Sequence, residues 1–201
     1  MAKVSSGLSL STNYFMRNYY ANNRDVIKTS GRNDYTKIEL SFEDSRALTR
    51  ASKRLLNNDY GSETDEKDND ISDTTRSSIE AFVTTYNNAI DSSKTTDSHD
   101  TKRYLKQLKS LTSKYSSELS EIGITVERSG KLTVNEDLLK TANNSKVRKI
   151  FSPDQEYSKK AYSICGKFNN AVRDDIVSQI NGKGLESMRS ESTRLEQRLV
   201  C

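Results

Sequence analysis

The apolar pattern of the chain changes between residues 122 and 140, where helical spacing gives way to strict alternation and then returns. On each side of a short polar turn, apolar side chains occupy every second position, which places them on one face of a β-strand. These positions are Ile124, Val126, Leu132 and Val134. The pattern therefore predicts a small β-hairpin with one apolar face, set between helices.

The register of this hairpin follows from its apolar face. Pairing the two inner positions, Val126 and Leu132, also pairs the two outer ones and leaves residues 128–130 for the turn. Gly130 then falls where a three-residue hairpin turn requires a left-handed backbone. Because an isolated two-stranded hairpin is marginally stable in water, we expect its apolar face to rest on neighbouring helices.

Before the hairpin, apolar residues recur at intervals of three and four in three segments, which is typical of helices that bury one face. The first helix is predicted to begin near Ser41, a favourable N-cap residue, and to end before Gly61. The second is predicted from about residue 72 to 90, and the third from about residue 97 to 121 with a heptad-like seam. The expected core positions of the second and third helices are Phe82, Tyr86 and Leu108.

After the hairpin, Asn135 is predicted to cap a short helix, and Ser145 to begin one further helical segment. The string Ser152-Pro153-Asp154 predicts the start of the last long helix, because proline is favoured at the first helical position. The apolar stripe of that helix continues as far as Ile180.

Composition divides the chain of 201 residues into four segments. Residues 1–35 form a polar N-terminal arm, residues 36–60 the first helical segment, residues 61–71 an acidic linker, and residues 72–201 a helical core with the hairpin at 124–134. Only 32% of the residues are hydrophobic, and there is no tryptophan. The sequence therefore predicts a mainly α fold, an elongated helical bundle or coiled coil with one small β-hairpin and a thin apolar core.

Charge and reactive groups argue against several classes of function. The formal net charge is +4 with acids and bases mixed, so we expect no nucleic-acid partner. No apolar run approaches the roughly 18 to 20 residues of a spanning helix, and the first 30 residues lack a signal-peptide core. The single histidine and the two cysteines have no metal-binding or nucleophile spacing. We expect no enzymatic activity, cofactor, metal or small-molecule substrate.

One flank of the third predicted helix is basic. Its cations are Lys102, Arg103, Lys106, Lys109 and Lys114. Because no stacking aromatics are interleaved with them and acids are plentiful nearby, the flank does not have the pattern of a nucleic-acid site. We interpret it as a solvated outer face.

Three segments carry a family resemblance, and together they cover roughly residues 78–152. The hairpin segment reads IGITVERSGKLTVNEDLLK, residues 81–87 read AFVTTYN, and Val147, Ile150 and Phe151 follow a V-x-x-hydrophobic-F step. These runs resemble the C-terminal helical core of flagellar hook-associated protein 2, the filament cap family. Members of that family are usually much longer, with β-rich outer domains, so this chain resembles a reduced form.

The resemblance implies a structural protein of the bacterial flagellum that acts through protein–protein contacts and is exported without a cleaved signal peptide. Its partners would be further copies of itself or related axial subunits. The expected assembly residues are Tyr14, Phe15, Tyr19, Tyr20, Leu195 and Leu199. The alternative is a cytosolic helical adaptor or chaperone-like protein that binds one partner through its last helix.

Overall fold

The computed structural model describes residues 37–60, 70–94 and 96–182, without the side chains of residues 38 and 179–182. Its elements are α1 (Lys37–Leu56), α2 (Asp73–Ser92), α3 (His99–Lys114), α4 (Ser116–Glu121), β1 (Ile124–Val126), β2 (Leu132–Val134), α5 (Glu136–Lys140), α6 (Asn144–Phe151) and α7 (Glu156–Gly182). The mainly α fold with one small antiparallel hairpin is confirmed. The six expected assembly residues of the two termini lie outside the described residues, as does most of the acidic linker.

Residues 37–174 form one compact unit, and its core draws on every helix and on both strands. Helix α1 packs on α2 and also contacts α7, where the Thr49 hydroxyl donates to the Cys165 carbonyl at 3.1 Å. The large side chains with at most 2% exposure include Leu48, Phe82, Tyr86, Leu108, Leu119, Ile124, Leu132, Leu139, Phe151, Tyr157 and Phe168. The prediction of a thin apolar core is therefore wrong for this unit.

Buried hydroxyl groups explain how a chain with 32% hydrophobic residues forms this core. Ser45, Ser78 and Thr112 are almost fully buried, and each hydroxyl donates to a backbone carbonyl three or four residues earlier in its own helix. A hydroxyl that keeps a hydrogen bond loses little when it leaves water. Small polar residues thus act as core residues, which a count of apolar residues does not anticipate.

The predicted register of the hairpin is confirmed. Ile124 pairs with Val134, and Val126 pairs with Leu132. The N–H of Gly130 donates to the Glu127 carbonyl across the turn, and Gly130 has a φ of +82°. The left-handed backbone at this position therefore accounts for the glycine.

The predicted helix caps are right at Asn135 and wrong at Ser41. The side chain of Asn135 accepts a hydrogen bond from the Leu138 N–H at the start of α5. Ser41 lies inside α1 and is only 6% exposed. Its hydroxyl oxygen lies 3.2 Å from that of Ser93 at the end of α2, so this serine joins two helices and caps neither N-terminus.

The third predicted helix is interrupted at Tyr115, which separates α3 from α4. Its N–H donates to the Thr112 carbonyl, a tighter turn than that of an α-helix. Its hydroxyl donates to Glu156 at 2.7 Å, and its ring lies 5.2 Å from that of Tyr157. These contacts with the start of α7 accompany the break, so the continuous heptad seam is not formed.

Two further helix starts differ from the predictions. Helix α6 begins one residue before Ser145 and is capped by the side chain of Asn143. Helix α7 begins at Glu156, three residues after Pro153. Ser152 is extended, as expected before proline, but its carbonyl accepts from the Gln155 N–H and closes a separate turn first.

Gly130 and Gly166 provide a matched pair of Gly→Ala tests. Alanine at position 130 would keep an unfavourable positive φ and place its Cβ 2.8 Å from the Lys109 Cδ atom, so we expect a loss of about 1 to 2 kcal/mol in unfolding free energy. Gly166 lies inside α7 with no atom within 4 Å of an added Cβ. There we expect a gain of about 0.5 to 1 kcal/mol. Urea denaturation measures both, and equal effects would contradict the assigned turn.

Candidate assembly site

The amide side chain of Asn87 holds the hairpin on α2. Its Nδ2 atom donates to the Leu132 carbonyl at 2.7 Å, and its Oδ1 atom accepts from the Leu132 N–H at 2.9 Å. Residues next to Leu132 in the ladder bond across to β1, so alternation turns the backbone groups of Leu132 outwards. Asn87 therefore occupies the place of one residue of a third strand.

An ion pair adds a second contact between the hairpin and α2. The Lys131 Nζ atom lies 2.7 Å from the Asp91 carboxylate, which also pairs with Lys94 at 2.8 Å. Burial opposes ionisation of Asp91, but the hydrogen bonds from the two lysines outweigh it and lower the pKa of the carboxyl group. The pair is largely solvent-exposed, so its main effect is to orient the hairpin.

The opposite side of the hairpin turn rests on α3. The Lys109 Nζ atom donates to the Ser129 carbonyl at 3.0 Å, and the alkyl chain of the same lysine passes directly against Gly130. The turn is therefore held by one helix while β2 is held by another. Contacts on two sides leave the hairpin little freedom to rotate.

The apolar face of the hairpin is only partly buried. Ile124 and Leu132 are 1% and 2% exposed, whereas Val126 and Val134 are half-buried. A two-stranded ribbon twists strongly, so one diagonal pair faces the helices and the other reaches the rim. Half of the apolar face that was expected to rest on neighbouring helices is thus buried and half lies at the rim, while the core positions Phe82, Tyr86 and Leu108 are each at most 1% exposed.

The reactive groups of the sequence are far apart or buried in the described part of the chain. His99 is 88% exposed at the start of α3. Cys165 is fully buried in α7, and burial raises the pKa of its thiol to about 12, which keeps it protonated. Burial likewise raises the pKa of the Tyr157 hydroxyl. His99 is therefore solvated, and Cys165 and Tyr157 are part of the core.

The described residues contain neither a metal-binding cluster nor a membrane-spanning helix. No group of three or more histidine, cysteine, aspartate or glutamate side chains in residues 37–60, 70–94 and 96–182 is arranged to hold a metal ion. None of the helices in the same ranges combines the length and the apolar character that crossing a lipid bilayer requires.

Glu156 is the centre of a polar cluster that sequence reasoning did not find. Its carboxylate accepts hydrogen bonds from Lys160, Tyr115 and Lys114, and these lower its pKa to about 2. Only the Lys160 contact, four residues along the same helix, has a signal in the sequence. The other two join the end of α3 to the start of α7 across about 40 residues of chain, with separations of 41 and 42.

An open cleft of about 570 Å³ lies between α3 and the hairpin turn. We call it the turn cleft, and it is lined by Lys106, Lys109, Ser110, Ser113, Ser116, Val126, Glu127, Arg128, Ser129 and Gly130. The basic flank interpreted as a solvated face therefore supplies one wall of a concave site. Sequence analysis missed the cleft because its second wall comes from the hairpin turn.

Comparison of the chain with protein-family models, with curated proteins and with solved structures finds no match. The resemblance to the filament cap family therefore stays a prediction that rests on the quoted segments. What the described residues add is the way in which those segments contact one another.

Replacing Asn87 by alanine tests whether its side chain holds the outer edge of β2. The change leaves the N–H and C=O of Leu132 without their side-chain partners, so we expect a loss of about 1 to 3 kcal/mol in unfolding free energy. Faster hydrogen exchange at the Leu132 amide should accompany it. The control is Asn88→Ala at the next position of α2, expected to change stability by less than about 0.5 kcal/mol. Equal effects of the two substitutions would contradict the role of Asn87 in holding the hairpin on α2.

Glu156→Gln tests the charge of the Glu156 cluster through its pH dependence. A folded pKa of about 2, below the ordinary 4.5, means that the carboxylate stabilises the fold fully above pH 4.5 and loses this effect as pH falls towards 2. The melting temperatures of wild type and variant should therefore differ most at neutral pH and converge near pH 2. Glu118→Gln, an exposed carboxylate of α4, is the control. A difference that stays constant with pH would exclude a role for the charge.

Proposed function

We propose that this protein is a structural component that acts through protein–protein contacts, as a reduced relative of the flagellar filament cap. The observation that carries the proposal is the pairing of Asn87 with Leu132. Asn87 ends the segment that resembles the F-V-x-x-Y-N helix of that family, and Leu132 belongs to the hairpin segment that resembles it. Two of the three segments behind the resemblance therefore form one packed module.

The third segment supports the same proposal. Val147, Ile150 and Phe151 of α6 are at most 3% exposed. In the same region, Lys146 forms an ion pair at 3.0 Å with Glu121 at the end of α4, just before the hairpin. The residues that carry the resemblance are thus residues that form the core and hold the hairpin on the helices. A shared set of packing positions fits a scaffold that presents a surface to other subunits.

The contacts that hold the hairpin on the helices also favour a role in protein–protein association. Helix α2 holds β2 and helix α3 holds the hairpin turn, and the exposed residues at the tip of the turn are charged or polar. A pre-positioned surface lowers the ordering cost of association. Among the described residues, the Cys165 thiol and the Tyr157 hydroxyl are buried in the core. We therefore look to the exposed surface for the contacts that the proposal requires.

The proposal is tested by fractionation of the native host. We expect the protein to travel with sheared flagella, and replacement of the aromatic residues of the N-terminal arm by alanine to lower the associated amount about tenfold or more. The aromatic set is Tyr14, Phe15, Tyr19 and Tyr20. The control set replaces Asn13, Asn18, Asn22 and Asn23 by alanine in the same arm, and its association should stay close to that of wild type.

Two outcomes would contradict parts of this proposal. Protein that stays in the soluble fraction of motile cells would exclude the flagellar role and favour the cytosolic adaptor. Unchanged association and unchanged solution mass in the aromatic variant would remove the assembly role of the arm. A substitution of Leu195 and Leu199 by serine, measured in the same fractions, tests the other expected assembly segment.

A further inference from the structure

The turn cleft concentrates positive charge in a concave site. Lys106 and Lys109 lie on its α3 wall and Arg128 on its hairpin wall, against one carboxylate, that of Glu127. No ion pair of residues 37–60, 70–94 and 96–182 includes any of these three cations. Opposed cations across a cleft focus the field on the space between them and attract a negatively charged ligand.

The hydroxyl groups of the cleft match the same kind of ligand. Ser110, Ser113 and Ser116 line the cleft beside the lysines. A hydroxyl can donate to a carboxylate oxygen, whereas a carboxylate cannot donate in return when it is ionised. Charge-assisted hydrogen bonds of this type are stronger than neutral ones. The serines can therefore bond to a carboxylate that the neighbouring cations attract.

The α3 wall of the turn cleft is long enough for an extended anionic segment. Seven residues of α3 separate Lys106 from Ser113, which corresponds to a length of about 10 Å along the helix axis. About three residues of an extended chain span the same distance. Arg128 adds a cation on the hairpin wall, so both walls of the cleft carry positive charge. A segment with several carboxylates can contact more of these cations than a single phosphate ion can.

The backbone of β1 offers a further contact for such a segment. Asn135 bonds to Gly123, and Glu127 bonds to Lys131, both at 2.8 Å across the hairpin. Alternation along the ladder then turns the N–H and C=O of Val126 away from β2, and Val126 lines the cleft. One donor and one acceptor at the outer edge of a strand are the groups by which an extended peptide adds to a sheet.

We infer that the turn cleft binds an acidic, extended peptide segment of a partner subunit. The inference rests on the proposed function, because it names the surface through which this structural protein contacts its partner. The side chains of Lys106 and Arg128 bind the carboxylates of the segment, the serines donate to them, and the edge of β1 receives the peptide backbone. Lys109 is held against the turn and joins the two walls of the cleft.

The test uses the full chain and a fluorescently labelled eight-residue peptide of alternating glutamate and threonine, followed by fluorescence anisotropy. The double variant Lys106→Glu/Arg128→Glu should bind this peptide about tenfold or more weakly than wild type. The matched control is Lys140→Glu/Lys159→Glu, which makes the same change of net charge at exposed residues outside the cleft. It should stay within about twofold of wild type, and circular dichroism checks that all three proteins are folded.

Several outcomes would overturn the inference. Equal weakening in both double variants would show a response to net charge alone. A peptide in which glutamine replaces glutamate should not bind, and binding of equal strength would remove the electrostatic basis. Displacement by inorganic phosphate beyond that by sodium chloride of the same ionic strength would indicate a phosphate site. Tighter binding of an eight-nucleotide oligothymidylate would indicate a nucleic-acid surface.

The inference and the proposed function fail separately. If the wild-type protein travels with flagella but does not bind the acidic peptide, the cleft is not the partner surface and the structural role stands. If it binds the peptide specifically but stays in the soluble fraction, the cleft is supported and the flagellar role is excluded.

Discussion

On its own, a two-stranded hairpin cannot bury an apolar face or satisfy the hydrogen-bonding groups of its outer edges. Neighbouring helices must supply both, and this constraint governs how the described chain is organised. Asn87 satisfies the outer edge of β2 with two hydrogen bonds to Leu132. Lys109 supports the turn from the other side. The hairpin therefore depends on α2 and α3 at once, because α2 holds β2 and α3 holds the turn that forms one wall of the cleft.

The core that carries this arrangement combines aliphatic and aromatic side chains with buried hydroxyls that bond within their own helices. Thr112 illustrates the principle, because its hydroxyl bonds to the Leu108 carbonyl of its own helix and lies 3.5 Å from the Tyr157 hydroxyl of α7. Such residues pack closely at little cost in lost hydrogen bonds. Helices with few large apolar side chains can then bury a broad face, and the chain reaches a filled interior without tryptophan.

Local patterns predicted the hairpin well because alternation and a three-residue turn leave only one register for four apolar positions. The same reasoning failed where a distant side chain decides the backbone. The break at Tyr115 accompanies a bond to Glu156 that lies 41 residues away, and the burial of Ser41 depends on Ser93. The turn cleft was missed for a similar reason, because the sequence separates Lys106 from Arg128 while the fold places them on facing walls.

The two edges of the hairpin are not equivalent, and this asymmetry is the basis for placing the proposed peptide site beside β1. The edge of β2 is occupied at Leu132 by the Asn87 amide, so strand addition there would first have to break two hydrogen bonds. The edge of β1 at Val126 borders the cationic cleft. Among the described residues, no side chain bonds to its backbone as Asn87 does to Leu132. A partner segment that bears carboxylates meets favourable charge and free backbone groups at the same place. The contact that stabilises the fold on one side of the hairpin thus leaves the other side for the proposed association.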